Sequence, residues 1–151
     1  MTENRRKTMF LNAMSRWPAG VTVVTAPEEG GFRPATVSSF TSLSADPPQV
    51  LVALKSDSRV LELARDAGIF FVSVLAEGQE EVSNSCARAD SDNLTAPHVP
   101  GAVATFTCSF EEVLQPSRGT HGVLVGQVDT CTPDVSKRPL LYWNRSYCRV
   151  H

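Results

Sequence analysis

Hydrophobic residues near the start of the chain recur at helical spacing. Phe10, Ala13, Met14 and Trp17 stand at i, i+3, i+4 and i+7, which predicts a helix with one apolar face packed on the core and an end at Pro18. Residues 1–8 before it read as a flexible N-terminus. After Pro18-Ala19-Gly20 the β-branched run Val21–Thr25 predicts a strand, and Glu28-Glu29-Gly30-Gly31 marks a turn. A hydroxyl-rich strand is expected at about Ala35–Phe40. Gln49–Leu54 and Ile69–Leu75 are short continuous apolar runs and predict buried strands. Between them Val60, Leu63, Ala64 and Ala67 mark a helix closed by Gly68. Gln79 to about Ala87 predicts a short helix, and Arg88–Gly101 a polar loop. From Val103 to Phe110 the pattern alternates, with Thr105, Thr107 and Ser109 on one face and Ala104, Phe106, Cys108 and Phe110 on the other. Gly122–Cys131 and Leu140–Trp143 complete the strands.

Six or seven strands with two or three helices, not strictly interleaved, argue against a doubly wound parallel sheet. A mainly β, mostly antiparallel barrel with helices packed outside fits the pattern better. A length of 151 residues is that of one domain, here 1–151, and 42% apolar with 20% charged residues is a globular composition. The net charge of −2 provides no basic field for nucleic acid, and Asn4-Arg5-Arg6-Lys7 is a short solvated cluster. No apolar run reaches membrane length and the N-terminus lacks an apolar secretory core, so cytoplasmic residence is expected. Cys86, Cys108, Cys131 and Cys148 are widely spaced with no C-x-x-C pair, and His98, His121 and His151 are scattered. Free thiols and no metal site are therefore expected.

Three places could carry chemistry. In Thr36–Pro48, TVSSFTSLSADPP, every polar residue before Asp46 is a short hydroxyl: Thr36, Ser38, Ser39, Thr41, Ser42 and Ser44. Short hydroxyls can meet a ligand's oxygens and ring nitrogens without charge and leave backbone N–H groups open to close approach. A hydroxyl-rich strand running into a turn accounts for the same residues. The second place is Lys55-Ser56-Asp57-Ser58-Arg59, where good N-caps and two cations precede a helix. Such a junction either caps the helix or seats a phosphate on its free N–H groups. One short strand separates it from the hydroxyl stretch, so both could line one end of a sheet. The third is Arg118-Gly119-Thr120-His121-Gly122 at a strand entrance, read as an exposed loop histidine or as one with room for a flat ligand. No nucleophile-elbow motif supports a Ser–His or Cys–His pair, and there is no G-x-G-x-x-G or Walker motif.

Taken in order, WPAGVTVVT at Trp17–Thr25, TVSSFTSLSADPP, the Gly-x-His at 119–121 with Gly126 and Val128, and Pro139-Leu140-Leu141-Tyr142 resemble the flavin reductase family. The resemblance runs from about Met9 to Tyr147. It implies the FMN-binding split β-barrel, antiparallel and Greek-key, with two or three peripheral helices. It also implies an NAD(P)H:flavin oxidoreductase, a homodimer that supplies reduced, dissociable FMN or FAD to a flavin-dependent monooxygenase. By the same resemblance the flavin lies along Thr36, Val37, Ser38, Ser39, Thr41 and Ser42, its phosphate meets Ser56, Ser58 and Arg59, and His121 stands beside the nicotinamide. Three departures accompany it. Thr120 stands where the family usually has an acid, Arg33-Pro34-Ala35 where a glycine commonly precedes the hydroxyl strand, and Cys86 where an aromatic is frequent. A flavin-binding protein of the same fold without reductase activity, and a split-barrel FMN oxidase, are the alternatives.

Overall fold

The structure, a computed structural model, describes all residues from Met1 to His151. It holds three helices, α1 (Glu3–Met14), α2 (Arg59–Ala67) and α3 (Glu80–Cys86), and ten strands. The strands are β1 (Ala19–Gly20), β2 (Thr22–Glu28), β3 (Gly31–Val37), β4 (Phe40–Ala45), β5 (Pro48–Lys55), β6 (Ile69–Val74), β7 (Ala104–Leu114), β8 (His121–Pro133), β9 (Leu140–Trp143) and β10 (Ser146–Arg149). Seven of them form one antiparallel sheet in the order β3-β2-β6-β7-β8-β5-β4, and β1-β9-β10 form a second. Hairpins join β2 to β3, β4 to β5 and β7 to β8, β6 reaches β7 through α3 and the long loop after it, and β5 lies on the far side of β8. This is the Greek-key arrangement. The outermost strands, β3 and β4, follow one another in the chain yet are joined by no ladder, so the sheet curls without closing.

The expected apolar runs are the buried strands. Val24, Val52, Phe70 and Val72 are fully buried, and with Cys108 and Leu124 they pack on the apolar face of α2, where Val60, Leu61, Leu63 and Ala64 are buried. Gly68 ends α2 with φ 72°, and its N–H donates to the Ala64 carbonyl, the left-handed termination that glycine adopts without cost. A smaller cluster of Val21, Val23, Leu75, Cys86, Val99 and Leu140 lies under α3 and β9.

The helix expected around Phe10 already begins at Glu3, with Thr2 as cap accepting from the Arg5 N–H at 3.3 Å. Two expectations change. Helix α1 does not pack on the core. None of its residues is buried, and Phe10 is 60% and Trp17 70% exposed. That face stays exposed, with Leu11 and Met14 lining a hollow beside Tyr142 and Trp143; the C-terminal end is tied down through Asn12 Oδ1 accepting from Arg145 Nη2 at 2.7 Å, the Ser15 carbonyl accepting from Asn144 N–H at 2.9 Å and the Arg16 guanidinium 4.6 Å over the Trp143 ring. The hydroxyl stretch is likewise not one strand. It breaks at Ser38-Ser39 between β3 and β4, which sends its two halves to opposite edges of the large sheet. All four cysteines are free. No helix is long and apolar enough to cross a membrane.

Candidate functional site

A cleft of about 540 Å³ opens between the end of β3, the end of β5, the start of α2 and the C-terminal end of α3. That volume lies within the range of about 300–1,000 Å³ of small-molecule sites. Thr36 and Val37 come from β3, Ser58 and Arg59 from the α2 entrance, and His121 from the start of β8. Three segments singled out separately in the sequence thus meet at one cleft.

The β-ladder explains the meeting. β5 pairs with β8 in a register that sets Lys55 opposite His121, so the chain enters α2 beside the histidine. The backbone then fixes that corner, because Ser56 N–H donates to the Thr120 carbonyl at 2.9 Å. The Thr120 hydroxyl lies 2.9 Å from Nδ1 of His121. It stands where an acid was the family expectation and offers the ring an uncharged partner. His121 is exposed at the mouth of the cleft.

At the α2 entrance Ser58 is in the N-cap position with extended backbone, but its hydroxyl makes no capping bond. The first-turn N–H groups of a helix have no intrahelical acceptor, so this end can receive an anion. The lining carries four cations, Arg33, Lys55, Arg59 and Arg88, against one carboxylate, Asp57. Arg59 is shared with two acids, its Nε 3.1 Å from Glu28 and its Nη1 3.0 Å from Glu62. Hydrogen bonds from Asn93 and then Arg59 hold the Glu28 carboxyl below its usual range, and those to Glu62 and Glu28 raise Arg59 above its own.

The far wall is built around Arg33 and Cys86, two of the departures noted in the sequence, and the loop after α3. Arg33 Nη1 donates to the Ser91 carbonyl at 2.9 Å and Nη2 to that of Ala89, pinning the loop after α3 against β3. Cys86 is buried in this wall, and desolvation pushes its thiol up, which keeps it neutral. Two buried hydroxyls hold the same loop further along: Thr25 Oγ1 donates to Pro97 O at 2.6 Å, and Ser73 Oγ accepts from Val99 N–H at 2.9 Å. These contacts join residues 26 to 72 positions apart, so no local pattern announces them.

Not every expected residue lines the cleft. The Thr36 hydroxyl donates to the Ser83 carbonyl at 2.7 Å and Ser39 to Ala53 at 2.7 Å. Both hydroxyls thus brace the wall, and any ligand would meet backbone and apolar groups of this stretch instead. Ser38 faces two adjoining hollows of about 210 and 500 Å³, and Ser39 lines the second of them, beside Tyr142 and Trp143. Thr41 and Ser42 are exposed on the edge strand β4, outside the cleft lining. The Ser56 hydroxyl donates to Gln115 Oε1 at 2.9 Å. With its N–H also engaged, Ser56 holds neighbouring protein rather than facing the cleft.

The flavin reductase like domain model matches residues 14–151. Among curated proteins, the reductase component of 4-hydroxyphenylacetate 3-monooxygenase from Thermus thermophilus is 36% identical over 146 residues, 95% of this chain and 97% of that one. The styrene monooxygenase flavin reductase of Pseudomonas putida S12 superposes with a TM-score of 0.84 at 33% identity, covering 94% of this chain and 97% of that one. The NADH:FAD oxidoreductase of Streptomyces globisporus C-1027, solved with NAD and FAD fragments, superposes with a TM-score of 0.89 at 27% identity, covering 100% and 96%.

Proposed function

The chain belongs to the flavin reductase like domain family, and from that premise we propose that it is an NAD(P)H:flavin oxidoreductase that hands reduced FMN or FAD to a flavin-dependent monooxygenase. The whole chain, 1–151, acts as one domain. The observation that carries the proposal is the convergence of Thr36-Val37, Ser58-Arg59 and His121 on one cleft with a cationic excess.

The residues suit such a ligand. A flat ring has the β3 backbone at Thr36-Val37 and the apolar groups of Ala53 and Leu54 beside it. The unengaged Ser58 hydroxyl, the α2 N–H groups and the Lys55 and Arg59 cations suit a phosphate. When both substrates are bound, the nicotinamide supplies a hydride and the flavin accepts it. The chain's own work is then alignment: His121 orients the nicotinamide, and the cleft walls hold the two rings in contact and exclude water. Neutral hydrogen bonds of about 0.5–1.5 kcal/mol each hold the flavin loosely enough to leave.

A homodimer is part of the same reading. It is supported by the uncovered apolar face of α1 with Met9, Phe10 and Met14 exposed, since a large exposed apolar patch marks an interaction surface. Cytoplasmic residence agrees with the absence of a membrane-length apolar helix.

Anaerobic mixing of the protein with each pair of FMN, FAD or riboflavin and NADH or NADPH tests the activity. The expected result is loss of oxidised-flavin absorbance at catalytic protein concentrations. Stoichiometric flavin binding with no nicotinamide consumption would favour a carrier of the same fold.

A further inference from the structure

We propose that Gln115 is a positioning residue for His121, a role that rests on the reading of His121 given above. Gln115 lies just beyond the end of β7. Its carboxamide Oε1 accepts from the Ser56 hydroxyl at 2.9 Å, and Nε2 donates to the His121 carbonyl at 3.3 Å and to that of Pro116 at 3.4 Å. The orientation of the amide is forced by its partners. Two carbonyls can only accept, so the nitrogen must face them, and the hydroxyl is left to the oxygen. The same corner is closed from the other side by Ser56 N–H on the Thr120 carbonyl.

Room for this side chain is made by Gly122. A Cβ there would stand 3.0 Å from Gln115 Oε1 and 3.1 Å from Val113 Cγ1. The amide therefore lies over a bare α-carbon and reaches from β7 across the start of β8 to the link between β5 and α2. These are the two corners that the proposed function uses, one for the phosphate and one for the nicotinamide. All the groups are exposed, so each bond adds little to folding. What the clasp fixes is the backbone on either side of Thr120, and hence where the Thr120 hydroxyl meets Nδ1 of His121. Glutamine suits the place because it combines a donor and an acceptor at the right reach. Glutamate lacks the donor and leucine both.

The test is anaerobic single-turnover reduction in Gln115→Leu, Gln115→Glu, His121→Ala and the double variant Gln115→Leu/His121→Ala. Gln115→Leu is expected to slow hydride transfer at saturating NADH by about three- to tenfold, the weight of one or two neutral hydrogen bonds. Its KM for NADH should rise, while riboflavin binding and the melting temperature stay at wild-type values. Gln115→Glu, which keeps size and reach, should lose as much. The double variant should fall no further than His121→Ala alone, the signature of two residues acting through one contact. Additive losses with His121→Ala itself impaired, or wild-type rates in Gln115→Glu, would overturn the role of Gln115 and leave that of His121 standing. A full rate in His121→Ala would remove the reading on which it rests.

Discussion

The ring of Phe70 lies against the bare α-carbon of Gly126: a Cβ at that position would stand 2.4 Å from Phe70 Cζ and 2.5 Å from Cε1. Phe70 is fully buried at the centre of the main core, so its ring has nowhere to go. Gly126→Ala is expected to destabilise the fold by about 1–3 kcal/mol, the usual cost of overpacking. Denaturant unfolding measures it, and a loss under 0.5 kcal/mol would mean that the core yields more easily than this packing allows.

His121→Ala should slow hydride transfer by about tenfold or more, as expected when a reacting ring loses its orientation, with flavin affinity largely retained. Stopped-flow reduction and flavin titration separate the two. Weaker flavin binding with normal turnover of the bound flavin would contradict a nicotinamide-side role.

Removing the phosphate corner should discriminate between flavins. Ser58→Ala with Arg59→Ala is expected to weaken FMN by about tenfold, the lower end for losing a charge-assisted hydrogen bond at a half-exposed arginine, and to leave riboflavin unchanged. Equal weakening of the two would move the phosphate elsewhere. In the opposite sense, Glu28→Gln releases Arg59 Nε from its 3.1 Å ion pair and should tighten FMN by about two- to threefold, a surface-pair effect.

The same acid gives a pH dependence with a definite sign. Glu28 is held below its ordinary range in the folded chain, so its contribution to stability is present above the unfolded value and lost as pH falls through the folded one. Wild type should therefore melt above Glu28→Gln at pH 7, and the gap should close on acidification below about pH 4. A gap of the same size at neutral and at acid pH would assign it to packing instead of charge.

Strands were legible where one buried and one half-buried face leave a continuous apolar run, as in Gln49–Leu54 and Ile69–Leu75, and α2 where Gly68 punctuates it. β7 runs four residues past the expected Phe110 because a bulge between Phe110 and Glu112 breaks the alternation. β10 was missed because its hairpin turns on Asn144-Arg145, both with positive φ (51° and 63°), where Asn-Gly would have signalled it. The apolar stripe of α1 was visible, but not that the chain itself leaves it uncovered. At the site, Thr36, Val37, Ser58, Arg59 and His121 line one cleft, because strand pairing carries them there. Thr41 and Ser42 do not, since hydroxyl content cannot reveal the break at Ser38-Ser39. Arg33 and the loop it pins depend on contacts across 56 and 58 positions, beyond any local signal.

The missing ladder between β3 and β4 also bears on how a bound molecule would depart. A sealed cylinder releases cargo only through its ends, after some rim moves aside. Here β3 and β4 share no rungs and are linked through Ser38-Ser39, so the cleft at the end of β3 lies along an unsealed margin and not inside a closed wall.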